Sequence, residues 1–411
     1  MALGALISAY QDSSGDGGGT GTGLRATLPL AGRTLVEYQA RLARAAGAQP
    51  IVILVERMPP ALLAAVDRLT TEGIAVQLAR GVDEAAGYFA PGDAVLFIAG
   101  GLFADAASVE RMASATGPTI MTMADNIGLD AFERIDASSR WAGLATASGA
   151  QIASTAAMLG DWDLQSTLLR RMVQDGARQM VTGAPGNATP GDGGTPMLLM
   201  ATGNRDLDDA ERRIVAGARG MRGDWVERYV TPMLEEFAVE RLMATGVRPQ
   251  WLVAGALALT TLAAFFFVKG WAGAAVIALL LSVPLDGIGE RLAALRMQPL
   301  VRGDRLRRGL PLVAGAAYAF CAMWLADHPG GSAAITTAAA GLTFFFASAR
   351  ERPPGPPLSL WLASRKGAIL LALPFAASGR WSAGLAVIAL YAAGSFLWLQ
   401  HRVHVRTAPH D

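Results

Sequence analysis

The sequence predicts two parts of different class. Residues 1–204 read as an α/β domain with a mostly parallel sheet, and residues 205–411 as an all-α membrane domain with six transmembrane helices. Three observations carry this. Short apolar runs alternate with helical patterns in the first half; long apolar segments follow one another after Arg248; and arginines collect in alternate connections between those segments. Composition agrees, since 52% of the 411 residues are hydrophobic and only 17% are charged, against about a quarter charged in a typical soluble domain.

In the first half, "IVILV" from Ile51, "AVLFIA" from Ala94 and "PTIMTM" from Pro118 alternate with patterns such as "TLVEYQARLARAAGA". This alternation predicts βαβ units. Residues 183–195, "GAPGNATPGDGGT", form a flexible loop by composition. Residues 205–247 predict charged amphipathic helices lying at a membrane surface.

Apolar runs then cover 250–268, 271–285, 310–326, 331–348, 367–379 and 381–400. Several approach the roughly 20 residues that cross a hydrocarbon core, and the fifth is marginal. If the chain enters from the cytoplasm, one side collects Arg291, Arg296, Arg302, Arg305, Arg307, Arg308, Arg350, Arg352, Arg365, Lys366, Arg402 and Arg406. The other side collects only Lys269 and Arg380. The positive-inside rule then predicts an inner (cytoplasmic) membrane protein with both termini and the first domain in the cytoplasm. No charged start leading into an apolar stretch opens the sequence, which agrees with that placement.

Several classes are disfavoured. A net charge of +1 offers no basic stripe, so nucleic acid is not an expected partner. The single cysteine, Cys321, has no disulfide mate. The four histidines include His401, His404 and His410 in the tail, which does not suggest zinc. The apolar runs carry no charges that would mark an ion path.

Two groups of motifs carry resemblances. "LDGIGERLAALRMQPLVRGDRLRRGLPL", residues 285–312, follows the second run, and the upstream "GDWVERYVTPMLEEFAVERLMATGVRPQWL" leads into the first. Together with six runs they resemble the CDP-alcohol phosphotransferase family, membrane enzymes that join a CDP-activated group to an alcohol in phospholipid head-group synthesis. The family signature is D-x-x-D-G-x-x-A-R-x8-G-x3-D-x3-D. Its paired carboxylates, one turn apart on two helices, hold divalent cations against the diphosphate, and its last aspartate is the base toward the attacking hydroxyl.

Laid without a gap, the signature begins at Asp286 and keeps Ala293 and Gly303. Its other positions fall on Gly289, Glu290, Ala294, Arg307 and Pro311. A shifted register places the inner "DGxxAR" on Asp286–Arg291 and restores Arg291, but loses the glycine spacing and is read as still lacking the other carboxylates. The ungapped register is the preferred one. In it Arg307 stands where the metal would sit, so Asp286 and Glu290 are expected to pair with Arg307 in place of a cation. The alternative for Asp286 is a helix-end acid balancing nearby arginines.

The opening "ALISAYQDSSGDGGGTGTGLRATLPLAGRTLVEYQARLARAAGAQPIVILV" resembles sugar-type nucleotidyltransferases of the GT-A type. The resemblance implies a glycine-rich loop in which Gly21, Gly23 and Arg25 approach a nucleotide's phosphates. The alternative is a plain flexible connection. The family's lysine falls on Leu28 and its metal-binding aspartate on Gly101, two losses that remove charge from phosphoryl transfer. Asp105 is either a substitute acid or a helix cap, and Asp161 and Asp163 are either metal ligands or caps. Capping is preferred at all three positions. "RWAGLATASGAQI" resembles the family's later strand.

These resemblances imply a diverged, catalytically impaired membrane protein linked to phospholipid head-group synthesis, acting as a pseudoenzyme or accessory binding protein. The alternative is an active bifunctional nucleotidyltransferase and CDP-alcohol phosphotransferase. Membrane lipid, CTP or a CDP-alcohol, and a second copy in a homodimer are the implied partners. No cofactor is expected, and Mg²⁺ belongs to the active alternative.

Overall fold

Ile51–Leu54 buries all four of its side chains, as a strand does when helices cover both faces of its sheet. The computed structural model describes residues 2–14, 20–125, 129–159, 163–182, 198–208, 210–211, 224–243, 245, 247–296, 301–326 and 361–407, without the side chains at 20–22, 236, 240, 243, 294, 301–308, 399–400 and 402–407. The expected loop at 183–195 and the fourth run, 331–348, lie outside the described residues. Two compact units divide the chain, Met1–Gly220 and Met221–Asp411.

The first unit opens with β1 (Leu3–Ser8), the hairpin β2 (Asp12–Ser14) and β3 (Thr20–Leu24), and the short pair β4 (Pro29–Leu30) and β5 (Arg33–Thr34). Then come α1 (Leu35–Ala45), β6 (Ile51–Leu54), α2 (Pro60–Thr71), β7 (Val76–Ala79), α3 (Val82–Ala86), β8 (Ala94–Ile98), β9 (Leu102–Ala104) and α4 (Ala106–Ala113). The unit continues through β10 (Thr119–Ala124), β11 (Ser139–Ser148), α5 (Gly149–Ala156), α6 (Leu164–Gln174), β12 (Arg178–Val181) and β13 (Leu198–Met200).

Seven strands form one sheet in the order β12–β10–β11–β8–β1–β6–β7. Neighbours are parallel except at β11, which runs against both β8 and β10. The mostly parallel α/β sheet expected from the sequence is therefore present. Strand order reverses beside β1, because the chain passes to β6 and β7 on one side and returns to β8 on the other. Open α/β sheets take up ligands at such a reversal, beyond the carboxyl ends of the strands.

Helix α1 braces that place. Thr34 and Glu37 form a capping box at its start, satisfying amides that would otherwise be orphaned. From its buried face Gln39 donates to the carbonyls of Ala99 and Leu102 at 3.0 and 2.8 Å, and the Tyr38 hydroxyl donates to Ala104 at 3.0 Å. The turn joining β8 to β9 is thus fixed from below.

The second unit contains α7 (Trp225–Tyr229), α8 (Pro232–Met243), α9 (Pro249–Val268), α10 (Ala272–Leu295), α11 (Val301–Ala326), α12 (Arg365–Ala377) and α13 (Trp381–Thr407). Among the described residues, three stretches are long and apolar enough to cross a membrane: Pro249–Val268, Ala272–Ala293 and Trp381–Trp398; Gly309–Leu325 is a shorter apolar stretch. Their shared core is rich in alanine, with Ala263, Ala275, Ala314, Ala317, Ala368 and Ala392 buried. Small side chains let helix backbones approach closely where no hydrophobic force draws helices together.

The sequence reading placed Asp286 at a helix end, followed by a basic loop. Instead α10 continues to Leu295. The reason is a periodicity hidden by the charges: Leu285, Ile288, Leu292 and Leu295 recur at three- and four-residue spacing, and the last three are buried. Asp286 is an interior residue of a long helix.

Candidate functional site

The loop after β1 and the turn after β8 meet at the strand-order reversal of the first unit. Gly21 and Gly23 belong to β3, one arm of a hairpin, while the glycines at 15–19 lie outside the described residues. A Cβ at Gly23 would lie 3.1 Å from the Ser13 hydroxyl, which donates to the Gly23 carbonyl at 3.0 Å. A side chain at 23 would require the Ser13 hydroxyl to shift by a few tenths of an ångström.

Arg25 is tied into the protein. Its backbone amide donates to the Gln11 carbonyl at 2.9 Å, its Nε to the Asp12 carbonyl at 3.0 Å, and its Nη1 to Gln11 Oε1 at 3.3 Å. Partial burial lowers its pKa, while the charges of Asp206 and Asp12 oppose that shift. Gln11 also donates to Gln165 at 3.2 Å.

Gly101 stands where the nucleotidyltransferase resemblance puts a metal-binding aspartate. Its φ is +84°, and its carbonyl accepts from the Ala201 amide at 2.8 Å. A Cβ there would lie 2.5 Å from the Ala201 carbonyl oxygen and 3.0 Å from Cδ of Arg25. The backbone itself excludes a side chain at this point. Leu28, at the resemblance's lysine position, is buried in the core.

The nearby acids are engaged as caps. Asp105 accepts from the Ser108 amide at 2.6 Å at the start of α4. Asp163 caps α6 through Ser166 at 2.9 Å, and its other oxygen accepts from the Tyr10 hydroxyl at 2.6 Å. Burial, then this carboxylate, raises the Tyr10 pKa. Asp161 lies outside the described residues. Sequence reasoning missed Tyr10, Gln11 and Gln165, whose uncharged side chains sit in no motif.

In the second unit, the chemistry-bearing residues gather around α10. Asp286 is buried, with Oδ2 3.5 Å from Arg365 Nη2 and 3.9 Å from Lys366 Nζ. Arg365 also donates to the Ser282 hydroxyl at 2.8 Å, one turn before Asp286. Lys366 makes a short hydrogen bond to Glu227, and Arg291 Nε lies 2.9 Å from Glu235 Oε2. Three carboxylates and three cations thus neutralise one another.

Glu235 is fully buried. Burial raises its pKa, while a hydrogen bond from Thr231 and the charges of Lys366 and Arg291 oppose the shift. A Cβ at Gly287 would lie 2.5 Å from Glu235 Oε1 and 3.1 Å from Lys366 Nζ. Glycine at 287 lets this carboxylate reach the helix surface. At Gly289 a Cβ would meet Val253, the Pro249 carbonyl and Leu252 within 3.3 Å, so that position serves the contact between α9 and α10.

Ala293 is buried in α10, and Gly303 and Pro311 lie within α11. The side chain of Arg307 lies outside the described residues, so its expected pairing with Asp286 and Glu290 does too. Among the described side chains, Asp286 lies beside Arg365 and Lys366, which sequence reasoning counted only as topology signals. One signal could have found them. They open α12 directly after its cap, Ser364, where the helix dipole disfavours cations, so acids had to approach from elsewhere.

Among the described side chains, no group of three or more His, Cys, Asp or Glu could hold a metal ion, and the donors around Asp286 do not suit a divalent one. A metal against Asp286 would lie near both cations, and each would repel it by about 8 kcal/mol at about 4 Å and an effective dielectric of about 20. No protein-family model matches the chain, and no curated protein matches it.

Proposed function

We propose that this chain is a diverged, catalytically impaired membrane protein of the CDP-alcohol phosphotransferase type, linked to phospholipid head-group synthesis. It acts as a pseudoenzyme or accessory binding protein beside an active transferase. The observation that carries this reading is the engagement of Asp286 by Arg365 and Lys366. Cations fixed to the chain occupy the surroundings of the one carboxylate retained at the start of the motif. The contacts of Gly287 and Arg291 with Glu235 favour the shifted register, which, as a correction to the reading above, also brings Asp304 onto the third aspartate but leaves Val283 and Arg308 at the first and fourth. Two of four carboxylates remain in that register.

The reading includes six spans with both termini and the α/β domain in the cytoplasm. Arg296, Arg365 and Lys366 are buried and Arg291 is partly buried among protein groups, so orientation rests on the other cations, which still favour one side. Reporter fusions at Gly270 and Gly379 are expected to read as external. A cytoplasmic signal at either overturns this topology.

A second reading, an active bifunctional enzyme using Mg²⁺, is favoured by one observation. The loop after β1 and Gly100–Gly101 meet where strand order reverses. Isothermal titration of the full chain with CTP, CDP-alcohols and Mg²⁺, followed by an assay for released CMP, separates the two. The impaired reading expects weak, Mg²⁺-independent nucleotide binding and no CMP. Mg²⁺-dependent CMP release that is lost on Asp286→Asn overturns it.

A further inference from the structure

Small side chains on α12 and α13 leave space inside the second unit. Ala372, Ala376 and Gly384 line a cavity of about 440 Å³, counting its open mouth, together with Phe267 of α9, Leu279 of α10 and Ile388 of α13. Protein interiors leave few voids larger than a water molecule, and ligand sites begin at about 300 Å³. This cavity is separate from the motif site, because Leu279 stands about 10 Å along α10 from Asp286.

The lining sets the chemistry of what fits. Among the described residues no charged side chain lines the cavity, and its polar side chains are those of Tyr318, Cys321 and Trp381. Each of these can donate a hydrogen bond. Tyr318 is only 5% exposed, and its hydroxyl has no hydrogen-bond partner among the described residues. A buried hydroxyl without a partner is costly. A charged ligand group would lose its hydration without gaining a counter-charge here. A ligand hydroxyl would leave one of the two hydroxyl hydrogens unbonded, whereas a carbonyl oxygen accepts and brings no donor of its own.

We propose that this cavity binds a neutral, lipid-soluble, single-chain ketone or ester. Its hydrocarbon body lies against Phe267, Leu279 and Ile388, and its carbonyl oxygen accepts from Tyr318. The bilayer is the source of such a molecule, because the same unit holds Pro249–Val268 and Trp381–Trp398, stretches long and apolar enough to cross it. The site uses neither Asp286 nor the loop after β1, so it stands or falls apart from both catalytic readings.

The test is photo-crosslinking of the full chain in phosphatidylcholine nanodiscs with a methyl alkyl ketone that carries a mid-chain diazirine, the adducts being mapped by peptide mass spectrometry. Adducts are expected on segments 318–321 and 369–376, which contribute to the lining. Excess methyl nonyl ketone should reduce them severalfold, and Ala372→Phe, which fills the cavity, should do the same. Tyr318→Phe keeps the ring and removes the donor, so the ketone concentration for half competition should rise about fivefold. An unchanged concentration overturns the proposal. Adducts confined to exposed positions such as Leu312 and Leu390, or adducts that excess ketone does not reduce, overturn it as well. Tyr318→Phe keeps the test decisive should Ala372→Phe fail to fold.

Discussion

Replacing Gly101 by alanine should destabilise the first unit through two additive terms. At φ +84° an L-residue costs about 1–2 kcal/mol relative to glycine. The new Cβ would also lie 2.5 Å from the Ala201 carbonyl oxygen, a backbone atom that cannot rotate away. Overpacking of that kind costs about 1–3 kcal/mol, giving about 2–5 kcal/mol in all. Gly47 supplies the control, since its φ is +89° with nothing within 4 Å of a built Cβ, so Gly47→Ala should show only the first term. Hydrogen exchange of the slowest amides in β1 and β6 reports opening of this unit without requiring the whole chain to unfold in one step. Because about 1.4 kcal/mol is tenfold, Gly101→Ala should raise that opening at least about thirtyfold, and by more than Gly47→Ala. Gly101→Asp should behave like Gly101→Ala, because the Cβ causes the collision whatever it carries. A Gly101→Ala effect no larger than that of Gly47→Ala would refute the steric argument.

Three further outcomes follow from the ion pairs and caps. Lys366→Met removes the ammonium shared by Glu227 and Asp286 and should cost about 3–5 kcal/mol; thermal melting of the full chain in detergent should recover partly in Lys366→Met/Glu227→Gln, and equal melting of single and double variants would count against it. Burial pushes the Glu37 pKa up, but hydrogen bonds from Arg68 and Thr34 and the charge of Arg41 outweigh it, holding the folded value below 4.5. The resulting stability is present above the unfolded glutamate's value and is lost as pH falls through the folded one; amide protection of α1 should therefore fall below about pH 4.5 in the wild type, whereas Glu37→Gln should be less protected already at neutral pH and change less on acidification. Asp163→Ala removes a cap worth about 1 kcal/mol and the Tyr10 hydrogen bond, worth about as much; exchange at the start of α6 should rise about thirtyfold, with Asp163→Asn in between.

The strands at Ile51, Ala94 and Thr119 were legible because short runs of apolar and β-branched residues encode burial on both faces. The helix caps at Asp105 and Asp163 were legible because capping is local, involving amides only three residues away. The extension of α10 past Asp286 was obscured because four apolar positions are interleaved with Asp286, Glu290 and Arg291. The charge cluster was hidden for a different reason. Glu227, Asp286 and Lys366 are far apart in sequence and meet only when α7, α10 and α12 pack, so spacing along the chain carries no trace of it. Its acid–base balance is a tertiary property.

The two units share a physical solution that bears on function more than either motif alone. In each, the surroundings of an expected phosphate or metal contact are filled by groups of the chain itself. Arg25 bonds to Gln11 and Asp12 while packing under Gly101, and Arg365 and Lys366 flank Asp286. A fixed cation differs from a metal ion in one decisive respect: its charge is tethered and its donors are already directed, so it stabilises the fold without offering open coordination positions to a substrate. Nor is Gly101, where the nucleotidyltransferase resemblance puts an aspartate, an isolated gap. A side chain there would collide with the Ala201 backbone. That position is part of the packing, so an aspartate placed there would strain the fold before it could recruit a metal. Such coupling is the physical content of the impaired reading: activity would require the carboxylate, its neighbouring cations and the opposing backbone to change together.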